Sequence, residues 1–173
     1  MLKLRELEKK DLHEINRWRN NPKLILNLGA PFRFINMDID TKWYDSYLSH
    51  RNTTIRCAVV ENENDFILGL ITLANIDQLN QTAELHIMIG ETCNQGKGIG
   101  TFAVNEMLNH AFMNLNLRRI ELSVLEDNTA AIHLYEKCRF KLEGRKRKAR
   151  FKNGGFKDLL LYSILSEEFF ENE

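Results

Sequence analysis

The sequence predicts a mixed α+β domain built around one sheet. Three observations lead there. Residues 2–7 alternate apolar and charged side chains, the period of a half-buried strand. Three more strand-like runs, 54–60, 66–74 and 82–89, follow with short polar turns, an antiparallel-looking arrangement. Beyond them a helix, a strand, a second helix and a hairpin succeed one another, so helices and strands must share a core.

Each element has a local reason. Asp11 is a candidate N-cap for a helix with Leu12, Ile15 and Trp18 on one face, ending before Pro22. The segment 23–36 stays undecided because Gly29 and Pro31 interrupt it. Asp38 or Asp40 is expected to cap a second helix with Trp43, Tyr47 and Leu48 inside. The polar turn 62–65 joins the next two strands. Val104, Met107, Leu108, Ala111, Phe112 and Leu115 recur at steps of three and four, which predicts a long helix entered from a loop that starts at Gly90. Arg119–Leu125 reads as a strand. Asp127 or Asn128 then caps a shorter helix carrying Ala131, Ile132, Leu134 and Tyr135. Asn153-Gly154, between strands at 140–151 and 156–165, is a hairpin-turn signal.

The 173 residues fit one domain, 1–173, with room for a sizeable core. Lys and Arg balance Asp and Glu at 24 each, which removes any bulk electrostatic case for nucleic acid or an acidic membrane. Cys57, Cys93 and Cys138 are odd in number and scattered, against a disulfide framework or zinc site, so a reducing cytoplasm is the expected location. The alternating N-terminus reads as a strand and not as a signal peptide. No run of about 18 apolar residues predicts a spanning helix.

The densest chemical signal is Asn94-Gln95-Gly96-Lys97-Gly98-Ile99-Gly100-Thr101, between a strand and an amphipathic helix. Its glycines remove the Cβ atoms that would hold a phosphate away from the backbone. Free N–H groups of the first helical turn, reinforced by the helix dipole, then point at the anion. A Walker loop is excluded: Gly96-Lys97 is followed by Gly98, and the upstream glycine position holds Glu91. The dinucleotide fingerprint fits formally from Gly98 to Ala103. However, Glu121 falls near the start of its strand, and the first half of the chain lacks alternating strand–helix units.

Gln95-x-x-Gly98-x-Gly100 resembles the Q/R-x-x-G-x-G/A signature of the GNAT superfamily of acetyl-CoA-dependent N-acetyltransferases. The run from Asn128 through Ala131 and Tyr135 to Phe140 resembles that superfamily's N-x-x-A-x-x-x-Y-x-x-x-G-F segment. The resemblance covers essentially the whole chain and is most specific over 83–140. Within the superfamily it is nearest to spermidine/diamine and ribosomal-protein alanine N-acetyltransferases. It implies a GNAT-type α+β fold, a central, mixed, mostly antiparallel twisted sheet of about six to seven strands flanked by about four helices. One departure is Arg139, where the family has glycine. If that site needs a positive φ, arginine costs about 1 kcal/mol.

The resemblance also implies roles. Acetyl-CoA is the expected co-substrate, and no metal is expected. Gln95 opens the turn, and backbone N–H groups of Gly96, Lys97, Gly98, Ile99, Gly100 and Thr101 would hold the pyrophosphate. Ile87, Met88 and Ile89 would run alongside the pantetheine, with an N–H there polarising the acetyl carbonyl. Asn128 would contact the pantetheine arm, and Ala131, Tyr135 and Lys137 on the same helix fall on the cofactor side. Tyr135 matches the family's general acid, since a phenol with pKa near 10 can donate to a departing thiolate. A core tyrosine packed on Ile132 and Phe140 is the alternative. Glu84 and His86 alternate along a strand and so face one side. Glu84 resembles the acidic residue of polyamine acetyltransferases and is the candidate base; an ordinary solvated strand pair is the alternative. His13, His50, His110, His133 and Cys93 belong to no constellation.

The acceptor is expected to be a small primary amine, with a polyamine or diamine first. Residues 26–34 contain no acid and one arginine, and the strand at 145–150 is strongly basic. That strand is either an edge that discourages aggregation or, beside the pocket, a feature favouring an anionic acceptor. Trp18-Arg19-Asn20 resembles a Trp-Arg-Asn of nucleotide-amino-sugar N-acetyltransferases. Acetylation of protein N-termini or amino sugars, or an inactive CoA-binding module, are the competing readings. A homo-oligomer, dimer or larger, is expected, with no nucleic-acid or membrane partner.

Overall fold

The computed structural model describes residues 1–61, 64–91, 94 and 96–171. Seven strands form one sheet: β1 (Leu2–Glu6), β2 (Ile55–Glu61), β3 (Ile67–Asp77), β4 (Thr82–Ile89), β5 (Arg119–Leu125), β6 (Lys141–Lys152) and β7 (Gly155–Leu165). Their spatial order is β1-β2-β3-β4-β5-β7-β6. Every neighbouring pair is antiparallel except β4–β5, which is parallel. This is the mixed, mostly antiparallel sheet that the sequence predicts.

The helices are α1 (Leu12–Arg19), α2 (Pro22–Ile25), α3 (Met37–Ser49), α4 (Ile99–Asn114), α5 (Thr129–Lys137) and α6 (Ser166–Phe170). Six replace the expected four because two are too short to show periodicity. Asn21 nucleates α2: its side chain accepts from Lys23 N–H at 3.1 Å, and Pro22 takes the first helical position. The undecided segment thus starts as one helical turn and continues as loop. α6 is held by Phe169 and Phe170, whose rings lie 5.5 and 6.3 Å from Phe112.

Two caps differ from expectation. The Asp11 side chain does not cap α1; it accepts from Glu8 N–H at 2.9 Å and takes both Nη atoms of Arg5 at 2.7 and 2.8 Å. Asn36, not Asp38 or Asp40, caps α3, its Oδ1 accepting from Ile39 N–H at 3.0 Å. Asp40 is fully buried, paired with Arg19 and accepting from Asn16 Nδ2 at 2.7 Å. A buried carboxylate is tolerable only with such partners. The inner face of α3 therefore runs through Asp40, Trp43 and Tyr47, and Leu48 turns outward, 48% exposed.

The sheet is sandwiched between helical layers. Ala83, Leu85, Ile87 and Ile89 of β4 pack with Ile71, Leu73, Ile120 and Leu122 beneath Val104, Met107, Leu108 and Ala111 of α4. The alternate side chains Ala58, Val60, Leu70 and Met88 meet Ile15 and Trp18 of α1 and Tyr47 of α3. The turn between β6 and β7 has φ 51° at Asn153 and 78° at Gly154, the two positive values a type I′ hairpin requires. Among the described residues, no helix is long and apolar enough to cross a membrane.

Arg139 sits at φ 69°, the strained conformation foreseen for it. Its Nη1 donates to Phe169 O at 2.8 Å on the surface. Arg139→Gly should relieve about 1 kcal/mol of backbone strain and lose only this exposed bond. Thermal unfolding should shift upward by about 2–4 °C. A downward shift would mean that the Phe169 contact outweighs the strain.

The basic run lies on β6, the outer strand of the sheet, beyond β7. Arg145 pairs with Glu126 and Asp158, both at 3.1 Å, while Lys146, Arg147, Lys148 and Arg150 are exposed. Between Lys146 and Arg150 the register slips, and Lys148 turns to φ 48° with its N–H donating to Asp158 Oδ1 at 2.8 Å. A charged, bulged edge blocks pairing with another sheet.

Candidate active site

β4 and β5 pair at only three positions, Thr82–Arg119, Ala83–Ile120 and Glu84–Glu121. From there β4 continues along β3 to Ile89, while β5 continues along β7 to Leu125. The sheet forks at Glu84. The β5-facing edge of β4 is left without a strand beyond it, so its backbone N–H and C=O groups face an open cleft. An extended ligand with amide groups can bind such an edge as an added strand does. Ile87, Met88 and Ile89 stand on this edge, paired on the other side with Ile71, Leu70 and Gly69.

Gly90 ends the open edge. Its N–H donates to Leu68 O at 2.8 Å, and Trp18 packs directly on its Cα. A side chain here would overlap the indole. Trp18 is thus the buttress behind the end of β4, a role that helical periodicity alone does not reveal.

The glycine-rich turn closes one end of the cleft. Gly96 and Gly98 have φ of 77° and 81°, and nothing lies within 4 Å of where their Cβ atoms would be. Gly98 is the N-cap of α4 and supplies no capping side chain. The first intrahelical bond runs from Phe102 N–H to Gly98 O at 3.0 Å, so the N–H groups of Ile99, Gly100 and Thr101 have no intrahelical acceptor. This is the open, donor-rich cradle that a pyrophosphate needs. Gly100 serves a different purpose from its neighbours. A Cβ there would come 3.0 Å from Leu134 Cδ2, so this glycine lets α4 and α5 approach. Lys97 is exposed. Gln95 and Cys93 lie outside the described residues.

α5 forms the other wall. Asn128 caps it, with Oδ1 accepting from Ala131 N–H at 3.2 Å and Nδ2 donating to Asn27 O at 2.8 Å. The side chain assigned by resemblance to the pantetheine is therefore also a helix cap and a tie to the 26–36 loop, with one Oδ1 lone pair to spare. Lys152 holds the same loop from below: its buried Nζ donates to Ile25 O at 2.8 Å and Ala30 O at 2.7 Å. Ala131 is half-buried, and Lys137 is exposed in the last turn of α5.

Tyr135 is 6% exposed, its ring 5.8 Å from Phe140, and belongs to the core beneath α4. Packing and chemistry are compatible here: the ring is buried, yet the hydroxyl makes no hydrogen bond to any described residue. Burial, with the Cys138 thiol adding to it, pushes the phenol up to about 12. Tyr135 therefore keeps its proton throughout the physiological range. Glu84 and His86 do face the same side, Oε2 lying 3.5 Å from Nε2 with both side chains about half exposed. Glu84 stands at the last pair before the fork.

Trp18-Arg19-Asn20 is spent internally. Trp18 supports Gly90, Arg19 pairs with Asp40, and Asn20 exchanges hydrogen bonds with Ile35 N–H and C=O at 3.0 and 2.6 Å.

A split sheet, an open, donor-rich helix start and a buried phenol are features of an acyl-CoA-dependent transferase. The acetyltransferase (GNAT) domain family matches residues 1–141, and the chain belongs to it: it is an acetyl-CoA-dependent N-acetyltransferase. It is 33% identical over 168 residues to spermidine N(1)-acetyltransferase of Vibrio cholerae, covering 97% of this chain and 95% of that one. It is 31% identical over 147 residues to the ribosomal-protein-serine acetyltransferase of Escherichia coli, covering 84% and 80%. The crystal structure of spermidine N-acetyltransferase from Vibrio cholerae in complex with CoA and spermine matches with a TM-score of 0.90 and 32% identity, covering 97% of both chains.

Proposed function

We propose that this enzyme acetylates a primary amine of a polyamine or diamine by direct attack in a ternary complex, with one domain, 1–173, carrying the whole site. The likeness to spermidine N-acetyltransferases along 97% of the chain carries the acceptor assignment. A half-exposed carboxylate, Glu84, at the fork supports it, because a cationic amine needs an acid on its approach.

The chain's own groups divide the work as follows. Backbone N–H groups of Gly96, Lys97, Gly98, Ile99, Gly100 and Thr101 bind the pyrophosphate, with Gln95 at the head of the turn. Ile87, Met88 and Ile89 orient the pantetheine along the open edge, assisted by Asn128, Ala131 and Lys137. Acetyl-CoA supplies an acetyl group activated as a thioester. Glu84 Oε2 takes the proton of the incoming ammonium, directly or through water. Tyr135 Oη holds the proton that the departing sulfur requires. Isothermal titration with acetyl-CoA, followed by release of free CoA across spermidine, a diamine, an amino sugar and N-terminal peptides, tests the assignment. Turnover with peptides alone would favour the second reading, which rests on the ribosomal-protein relative.

The free thiols Cys57 and Cys138 suit a reducing cytoplasm. We also read the β6–β7 hairpin as a self-association surface. Phe151 and Phe156 lie 59% and 64% exposed there with ring centroids 5.3 Å apart. The double variant Phe151→Ser/Phe156→Ser should sediment as a smaller species than the parent; unchanged sedimentation would rule this surface out.

A further inference from the structure

We propose that the pocket between α3 and the start of β2 binds a small oxyanion, a carboxylate or a phosphate, with Arg56 as its principal ligand. The pocket has a volume of about 240 Å³, and Trp43, Ser46, Tyr47, His50, Thr54 and Arg56 contribute to its lining. The Arg56 guanidinium lies against two rings, its carbon 4.2 Å from the Trp43 centroid and 5.1 Å from that of Tyr47. These cation–π contacts hold the guanidinium in place, and its planar fork of N–H donors suits a bidentate acceptor.

Among the described residues, no group takes those donors. Four arginines among the described residues are half-buried: Arg5, Arg19, Arg56 and Arg119. Arg5 holds Asp11 and Asp65, Arg19 holds Asp40, and Arg119 holds Glu121 and Glu143. Arg56 alone among these four holds no carboxylate. The nearby acids are committed elsewhere. Asp40 on α3 is taken by Arg19 and Asn16, and Glu6 on β1 by Tyr47 Oη at 2.8 Å and Arg51 at 2.7 Å. His50 Nδ1 is engaged with Ser46 O at 2.7 Å. A further cation, Arg19 of α1, lies 5.4 Å from the same Trp43 ring.

The charge at Arg56 is therefore uncompensated. Burial pulls the guanidinium below its usual range; Tyr47 opposes this and repulsion from Arg19 adds to it. A half-buried cation without a counter-ion is costly, and an anion that supplies one binds with that cost in its favour. The hydroxyl of Thr54 and the aromatic platform suit an oxyanion on a small organic body. A polyamine would meet Arg56 as a like charge. The pocket lies two strands away from the fork, on the sheet face that also carries Glu84 and His86. Arg56 pairs with Thr72, and Thr72 with His86, so two strand spacings of about 4.8 Å separate Arg56 from the edge of the fork.

The test needs no acetyl transfer, so its failure is distinct from failure of the acceptor assignment. Sodium phosphate and sodium glutarate are titrated at constant ionic strength into the full chain. Binding is followed by tryptophan fluorescence, since Trp43 stacks on Arg56, and by the Arg56 Nε–H resonance. Saturable binding of either anion that moves this resonance is the expected result, and the anion that binds identifies the source. Arg56→Gln should weaken it at least roughly tenfold. Arg56→Lys, which keeps the charge but not the planar fork, should weaken it less. No saturation with either anion, an unmoved Arg56 resonance, equal affinity in both variants and the parent, or the same Arg56-dependent response to spermidine would each overturn the proposal. If Arg56→Gln does not fold, the Lys variant and the resonance decide it.

Discussion

Tyr135→Phe should lower kcat by roughly 10²- to 10⁴-fold, the range typical of one acid–base group, with KM for acetyl-CoA changed only a few-fold. The aromatic ring supplies the packing against Phe140 and the α4 core, and phenylalanine keeps it. Only the hydroxyl is lost, and that hydroxyl has no partner among the described residues to leave unsatisfied. The variant should therefore fold normally, which separates chemistry from stability. The pH dependence gives a second readout. A group held up at about 12 stays protonated in the folded protein while its unfolded counterpart ionises near 10. Its contribution to stability is fully present below pH 10 and is lost as pH rises from 10 toward 12. Denaturant melts across that window should show the alkaline loss in the parent, and a smaller one in Tyr135→Phe. The Cys57 and Cys138 thiols, both raised to about 11, and the Tyr47 and Tyr162 phenols, raised by burial, contribute to the loss that remains. Full turnover by Tyr135→Phe at every pH would remove Tyr135 as the acid.

Gly90→Ala should be the most damaging single methyl in the domain. The added Cβ would lie inside the Trp18 indole; even the third-nearest atom, Cδ2, would be only 2.5 Å away. Trp18 is 2% exposed and has nowhere to go. Overpacking of this kind costs about 3 kcal/mol, read as a lower midpoint in urea. Activity should fall with it, because Gly90 directly follows Ile87, Met88 and Ile89 on the open edge of β4. Displacing that edge would move the amides proposed to orient the pantetheine. The double variant Gly90→Ala/Trp18→Leu should recover part of the loss, since the two residues share one contact and their effects cannot add. Additive losses would mean that the damage arises elsewhere. Gly96→Ala makes a useful contrast. It meets no atom within 4 Å and bears only the strain of φ 77°, about 1 kcal/mol.

The fold was legible wherever local rules act alone. The seven strands, the long helix α4 and the Asn153-Gly154 turn follow from periodicity and turn chemistry, which depend on neighbours within a few residues. The caps were read less well. Asp38 and Asp40 are as good on paper as Asn36, but Asp40 is needed in the interior by Arg19 and Asn16, and a side chain cannot do both. α2 and α6 are too short to have a period. Trp18-Arg19-Asn20 is a case where three residues resemble a functional motif and are all consumed by packing and loop anchoring.

The site divides along the same line. By itself the sequence predicted a phosphate cradle, because Gly96 and Gly98 before a helix need no distant partner to leave its first N–H groups open. Its resemblance to the GNAT superfamily also implied Glu84, Asn128 and Tyr135 as candidates around a thioester. Only the tertiary structure decided that β4 and β5 part after Glu84, which turns a strand edge into a cleft. That fork depends on strands far apart in the chain choosing different partners, β3 for β4 and β7 for β5. Only the packing, likewise, placed Trp18 behind Gly90 and set Arg56 against two aromatic rings while Asp40 and Glu6 are held by other residues. Such contacts join residues tens of positions apart, and no local pattern in the sequence encodes them.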